Sequence, residues 1–139
     1  MGGNFRRNFR MFRKLCGDDA LENVVIVTNM WSGVTRAKGE MREAELRDNF
    51  FKSALDKGAT MLRHNNSVTS AHDILRCIIW KRPMPLQIQE ELVDKELDIQ
   101  ETAAAEELLS QTRDLVREHQ AKIRDLQKDM RGTERPFIS

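Results

Sequence analysis

No run of eighteen apolar residues occurs in this sequence, and the N-terminus has no apolar signal-peptide core, so neither a membrane-spanning helix nor secretion is expected. Cysteine is scarce. Cys16 and Cys77 lie far apart without Cys-x-x-Cys spacing, inside apolar helical patterns, which predicts buried, reduced thiols and a cytoplasmic setting. No charge sign dominates either: the formal net charge is +1 with 32% charged residues, so no global nucleic-acid surface is implied. The three histidines, His64, His72 and His119, are dispersed, and none pairs at metal-site spacing. No Gly-x-x-x-x-Gly-Lys-Ser/Thr run is present to cradle nucleotide phosphates, so no catalytic residue is assigned and hydrolysis by these residues alone is not expected.

What is present centres on Asn23 to Trp31. Val24, Val25, Ile26 and Val27 are consecutive β-branched residues without polar alternation, the pattern of a strand buried on both faces of a parallel sheet. Ligands of open α/β sheets bind beyond the carboxyl ends of such strands, which places Thr28, Asn29, Met30 and Trp31 where a site is expected. Upstream, Phe5, Phe9, Phe12 and Leu15 share a helical face and arginines take the rest. Two readings of this basic amphipathic helix are open: packing of the Phe face on the sheet, or attachment to a membrane surface or organelle. Gly17 stops it. A second helical pattern puts Met41, Ala44, Phe51 and Leu55 on one face, with a break point at Asp48-Asn49 and an end at Gly58. Ala59 to His64 reads as a second strand, followed by the polar cluster His64-Asn65-Asn66-Ser67. A capping box at Ser70 to Asp73 predicts a helix from Ser70 to about Lys81, with Ala71, Ile74, Leu75 and Ile78 as its apolar face, widened by Cys77, Ile79 and Trp80. Pro83 and Pro85 end it.

From Leu86 to Met130 there is neither glycine nor proline, and strong helix formers dominate, which predicts one long helix. Leu109, Val116, Ile123 and Met130 recur every seven residues, while the complementary positions Ala105, Thr112, His119 and Leu126 are only partly apolar. Self-association through this seam, docking on another surface and a solvated helix all remain open. The expected organisation is a small α/β part over residues 1–83, a helical tail over 84–132 and a disordered end over 133–139. Two strands alone make a poor sheet, so further strands are expected beside the first.

Several segments carry a resemblance: Met1-Gly2-Gly3, the continuous run from Asn8 to Trp31, Phe50-Phe51-Lys52, Leu55 to Ala59, Met61 to Asn66 and Ile88 to Asp94. Together they resemble the second half of the G domain in the fungal immune-associated, septin-like P-loop GTPases. The resemblance implies an α/β fold, the C-terminal fragment of a three-layer G domain with two parallel strands, flanking helices and a helical tail with coiled-coil potential. It implies GTP or GDP and Mg²⁺ as the family's ligands, with the phosphate loop, switch regions and Mg²⁺ ligands preceding this segment. The chain is then expected to be a truncated product or to begin at an internal Met of the parent domain. The resemblance further implies that Thr28, Asn29 and Trp31 form the first base loop and Asn65-Asn66 the second. Asn29 and Trp31 stand where that family's pattern has Lys and the guanine-binding Asp. Trp31 can stack on a base or pack against its own fold, and Asn65-Asn66 can meet a base edge or form a plain turn.

Overall fold

The computed structural model describes residues 3–133; of the disordered end expected over 133–139, Thr133 is instead the last residue of a helix and the rest lies outside the described residues, as do Met1 and Gly2 of the resemblance. The first helix, α1 (Gly3–Cys16), closes at Gly17, whose φ of +77° lets its N–H bond the Arg13 carbonyl at 2.8 Å, a left-handed cap that a side chain would strain. A short 3₁₀ turn, Asp19–Asn23, then delivers the chain into β1 (Val25–Thr28). After another 3₁₀ turn (Trp31–Gly33), α2 (Arg36–Glu45) starts at Thr35, whose hydroxyl caps the Lys38 amide, and runs through a π turn (Leu46–Phe50) into α3 (Lys52–Asp56). The π turn occupies the expected break at Asp48-Asn49. Next come β2 (Thr60–Arg63) and α4 (Val68–Ile79).

β1 and β2 pair in parallel, Val25 opposite Thr60 and Thr28 opposite Arg63, and the helical crossover between them is what parallel strands require. Among the described residues these are the two strands of the sheet, so the whole is mostly helical with a small parallel α/β element. The expectation of a strand buried on both faces is corrected here. Val25 and Ile26 are half-buried and Val27 is 40% exposed, because two strands flanked on one side leave the other side uncovered. The core is correspondingly small: Leu21, Ala54 and Ala59, with Phe9, Val24, Ile26 and Leu55 packed against them.

The Phe face of α1 packs in part. Phe9 meets Phe51 edge to face at 4.9 Å and Phe5 meets Phe50 at 5.0 Å, while Phe5 and Phe12 keep 43 and 39% of their surface exposed. On α2 the buried residues are Gly39 and Glu43, whereas Met41 and Ala44 are exposed, contrary to their expected place on the core face. In α4 the N-cap is Ser67, whose hydroxyl accepts from the Ser70 amide at 3.1 Å, three residues before the predicted cap. Its apolar face is also less covered than expected: Ala71 and Ile74 are half-buried, but Leu75, Ile78, Ile79 and Trp80 are exposed. Cys77 is exposed too, while Cys16 is buried, so only one thiol follows the sequence expectation.

The single long helix predicted from Leu86 is broken. A short helix, α5 (Gln87–Gln89), extends through a π turn (Glu90–Asp94), and the chain reverses at Glu96, where φ is +51°. A 3₁₀ turn, Ile99–Glu101, then leads to α6 (Ala103–Thr133), about 46 Å long at 1.5 Å per residue. Tertiary contacts decide the break. The buried Glu91 carboxylate accepts from Gln87 Nε2 at 2.8 Å and from the Ala103 amide at 3.2 Å, so it satisfies an otherwise orphan donor at the start of α6. Thr102, 1% exposed, adds a cap through the Ala105 amide at 3.2 Å. The first half of α6 lies against α1, with Arg7 to Glu118 at 3.2 Å and Arg10 to Glu107 at 3.3 Å. Beyond Leu115 every residue through 132 is exposed.

Candidate functional site at the carboxyl ends of the strands

The register of the sheet brings the loops after β1 and β2 side by side, and the His64 amide bonds the Thr28 carbonyl at 2.8 Å just past the ladder. At this end Trp31 is held from several directions. Its Nε1–H donates to Thr28 Oγ1 at 3.1 Å and to the Thr28 carbonyl at 3.3 Å, and Arg63 lies over its ring, 4.3 Å from the centroid. The indole also presses on α2 at Gly39, where a Cβ would come within 2.7 Å of the ring. Glycine is required at that helix position because the ring occupies the space.

Arg63 is fixed in turn by Glu43. Its Nε donates to the two carboxylate oxygens at 2.9 and 3.0 Å, and its Nη2 completes a forked pair. Glu43 is 5% exposed, and Arg47 stands at 4.0 Å on the following turn. Hydrogen bonding from Arg63 holds the Glu43 carboxyl below its ordinary range against the opposing effect of burial, and the same pair raises Arg63. The result is a chain of contacts from α2 through β2 to the first loop: Glu43, Arg63, Trp31, Thr28.

The second loop is arranged around its own turn. Asn65 Oδ1 accepts from the Ser67 amide at 3.1 Å and from the Ser67 hydroxyl, an Asx turn that leads into the α4 cap. Ser70 Oγ lies 2.8 Å from His64 Nδ1. Asn66 adopts φ +64° and is exposed, as is Asn29, while Met30 takes φ +60°. Of the five residues expected at the base loops, the structure therefore joins Thr28 and Trp31 directly, uses Asn65 in its own turn, and leaves Asn29 and Asn66 facing solvent.

Glu43, Arg63 and Gly39 escaped the sequence reading. The available signal was the spacing of Gly39 and Glu43, four residues apart on one turn of α2, which marks a face filled by something other than an aliphatic side chain. Among the described residues no group of three or more His, Cys, Asp or Glu side chains is placed to hold a metal ion. None of the described helices is long and apolar enough to cross a membrane. Compared with known protein families, curated proteins and solved structures, the chain matches none.

Proposed function

We propose that this chain is the base-loop half of a GTP-binding domain, with weak guanine-nucleotide binding at the ends of its two strands and no hydrolysis of its own, and that it works in the cytoplasm. The observation that carries the reading is the parallel pair β1 and β2, joined by helices, with both loops leaving the same sheet edge side by side. In this reading Asn29 and Asn66 reach the base edge. Trp31 serves as a wall, since a base could stack on the ring only by displacing Arg63. The phosphates meet no Gly-rich cradle in these residues, so GDP and GTP bind alike.

Calorimetric titration with GDP, GTP and ATP tests this. Matched weak binding of GDP and GTP, feebler binding of ATP and loss of binding in Asn66→Ala are expected. Mg²⁺-dependent GTP hydrolysis by the chain would refute the claim of inactivity, and indifference to the base would refute the base-loop reading.

A second reading has its own observation. Leu109, Val116 and Ile123 are 52, 49 and 54% exposed on one face of α6, a stripe that Met130 extends, and it suits helix pairing with a second copy. Sedimentation of the wild type beside Ile123→Asp distinguishes it. A dimer that the substitution dissociates supports the idea, whereas a monomer in both samples removes it.

A further inference from the structure

Away from the strand ends, α1, the α2 segment with its π turn, and α6 enclose a groove of about 1200 Å³. Its cationic wall is built from arginine alone. Arg6, Arg10 and Arg13 follow one another at four and three residues along α1, which spaces them by roughly 6 and 4.5 Å of helix rise. Arg42 contributes from α2 and Arg117 from α6, while Phe9, Leu46 and Phe50 give the groove an apolar side. Lys14, the one lysine of α1, lies outside this lining.

Part of this charge is already neutralised inside the protein. Arg7 pairs with Glu118 at 3.2 Å, Arg10 with Glu107 at 3.3 Å, Arg13 with Asp18 at 3.1 Å, and Arg117 reaches Asp114 at 3.9 Å. Arg6 and Arg42 are different. Arg6 lies over the Phe50 ring at 5.9 Å, and neither has a carboxylate within ion-pair distance among the described residues. Glu45 also lines the groove, so the lining holds six arginines, counting Arg7, against three carboxylates. Arginine forks match phosphate oxygens two at a time, and an apolar side lowers the local dielectric, which strengthens each such contact.

We propose that this groove binds a small ligand bearing several phosphate groups, an inositol polyphosphate or the same phosphorylated headgroup on a lipid, with Arg6 and Arg42 as its principal contacts. The site is separate from the base loops and stands whether or not the chain binds guanine nucleotide. The row of guanidinium groups along α1 favours a ligand with several phosphates over a single anion. The three acidic side chains on the lining oppose an extended polyanion laid indiscriminately across the surface.

The test uses the full chain with inositol hexakisphosphate in calorimetry at physiological ionic strength, and with vesicles of phosphatidylcholine containing either a phosphorylated phosphatidylinositol or phosphatidylserine in co-sedimentation. Saturable binding that falls roughly tenfold in Arg42→Gln is expected, from the loss of one charge-assisted contact. Arg42 is exposed and has no ion-pair partner among the described residues, so its substitution leaves the fold intact, which circular dichroism verifies; Arg6→Gln is the second variant. Arg36→Gln, in a surface pair with Glu40, is expected to bind as the wild type does. Binding of the soluble ligand alone assigns a free polyphosphate, and binding of the phosphorylated vesicles identifies the lipid headgroup. Absence of binding to both, equal binding to phosphatidylserine vesicles, or affinity unchanged in Arg42→Gln and Arg6→Gln overturns the proposal.

Discussion

At the scale of single residues, the buried carboxylate of Glu43 organises the strand-end cluster, and the two ends of its ion pair are unequal. Arg63 is 46% exposed on its side chain and can turn to solvent if its partner goes, whereas Glu43 at 5% cannot. Arg63→Ala is therefore expected to cost more stability than Glu43→Gln, because it leaves a carboxylate buried with only Arg47 at 4.0 Å. Urea unfolding of both variants measures the difference, and equal losses would show that Arg47 compensates fully. The pH dependence has a definite sign. With its folded value held below the ordinary 4.5, Glu43 contributes stability that is fully present above that value and is lost as the pH falls through the lower, folded one. Acid unfolding of the wild type should thus steepen below the ordinary carboxylate range, with a flatter profile in Glu43→Gln. Gly39 belongs to the same cluster. Alanine there gains about 1 kcal/mol of helix propensity but forces the Trp31 ring aside, at about 1–3 kcal/mol of overpacking. A lower melting temperature and a shifted tryptophan emission are expected, and an unchanged spectrum would contradict the packing described.

Among the elements, the break between α5 and α6 depends on one side chain reaching twelve residues forward. Glu91→Ala removes the acceptor of the Ala103 amide and of Gln87, and a loss of about 1–2 kcal/mol is expected, with α6 detaching from α1 before the core melts. Hydrogen exchange at the α6 amides checks this; protection equal to wild type over Ala104 to Asp114 would count against it. This element also marks where sequence reasoning reached its limit. Strand β1, the stop at Gly17 and the break near Asp48 were legible because each depends on local chemistry, a β-branched run, a left-handed glycine or a polar interruption. The reversal at Glu96 was not, since neither glycine nor proline announces it and Glu91 acts across space. For the same reason Trp31 was found as a loop residue from its place after a strand, whereas Thr28 stands as the last residue of β1 and Arg63 over the indole could not be foreseen without the register of β1 on β2.

For the molecule as a whole, the uncovered apolar surface sets the behaviour in solution. Leu75, Ile78 and Ile79 on α4 and Trp80 just past its end stand exposed, as does Val27 on β1, and among the described residues each strand has one unpaired edge. Association at high concentration is expected, and the double variant Ile79→Lys, Trp80→Gln should reduce light scattering with little change in melting temperature, since Trp80 is 85% exposed and gives up almost no packing. A large fall in melting temperature would mean that a partner copy normally covers this face. The two thiols add something of practical use. Cys77 sits on the open helix α4, and Cys16 is buried at the end of α1, where desolvation also raises its thiol. An alkylating reagent therefore meets two clocks in one molecule, the first starting at mixing and the second only when α1 lets go of the core, so the interval between the two mass increments times the opening of the fold.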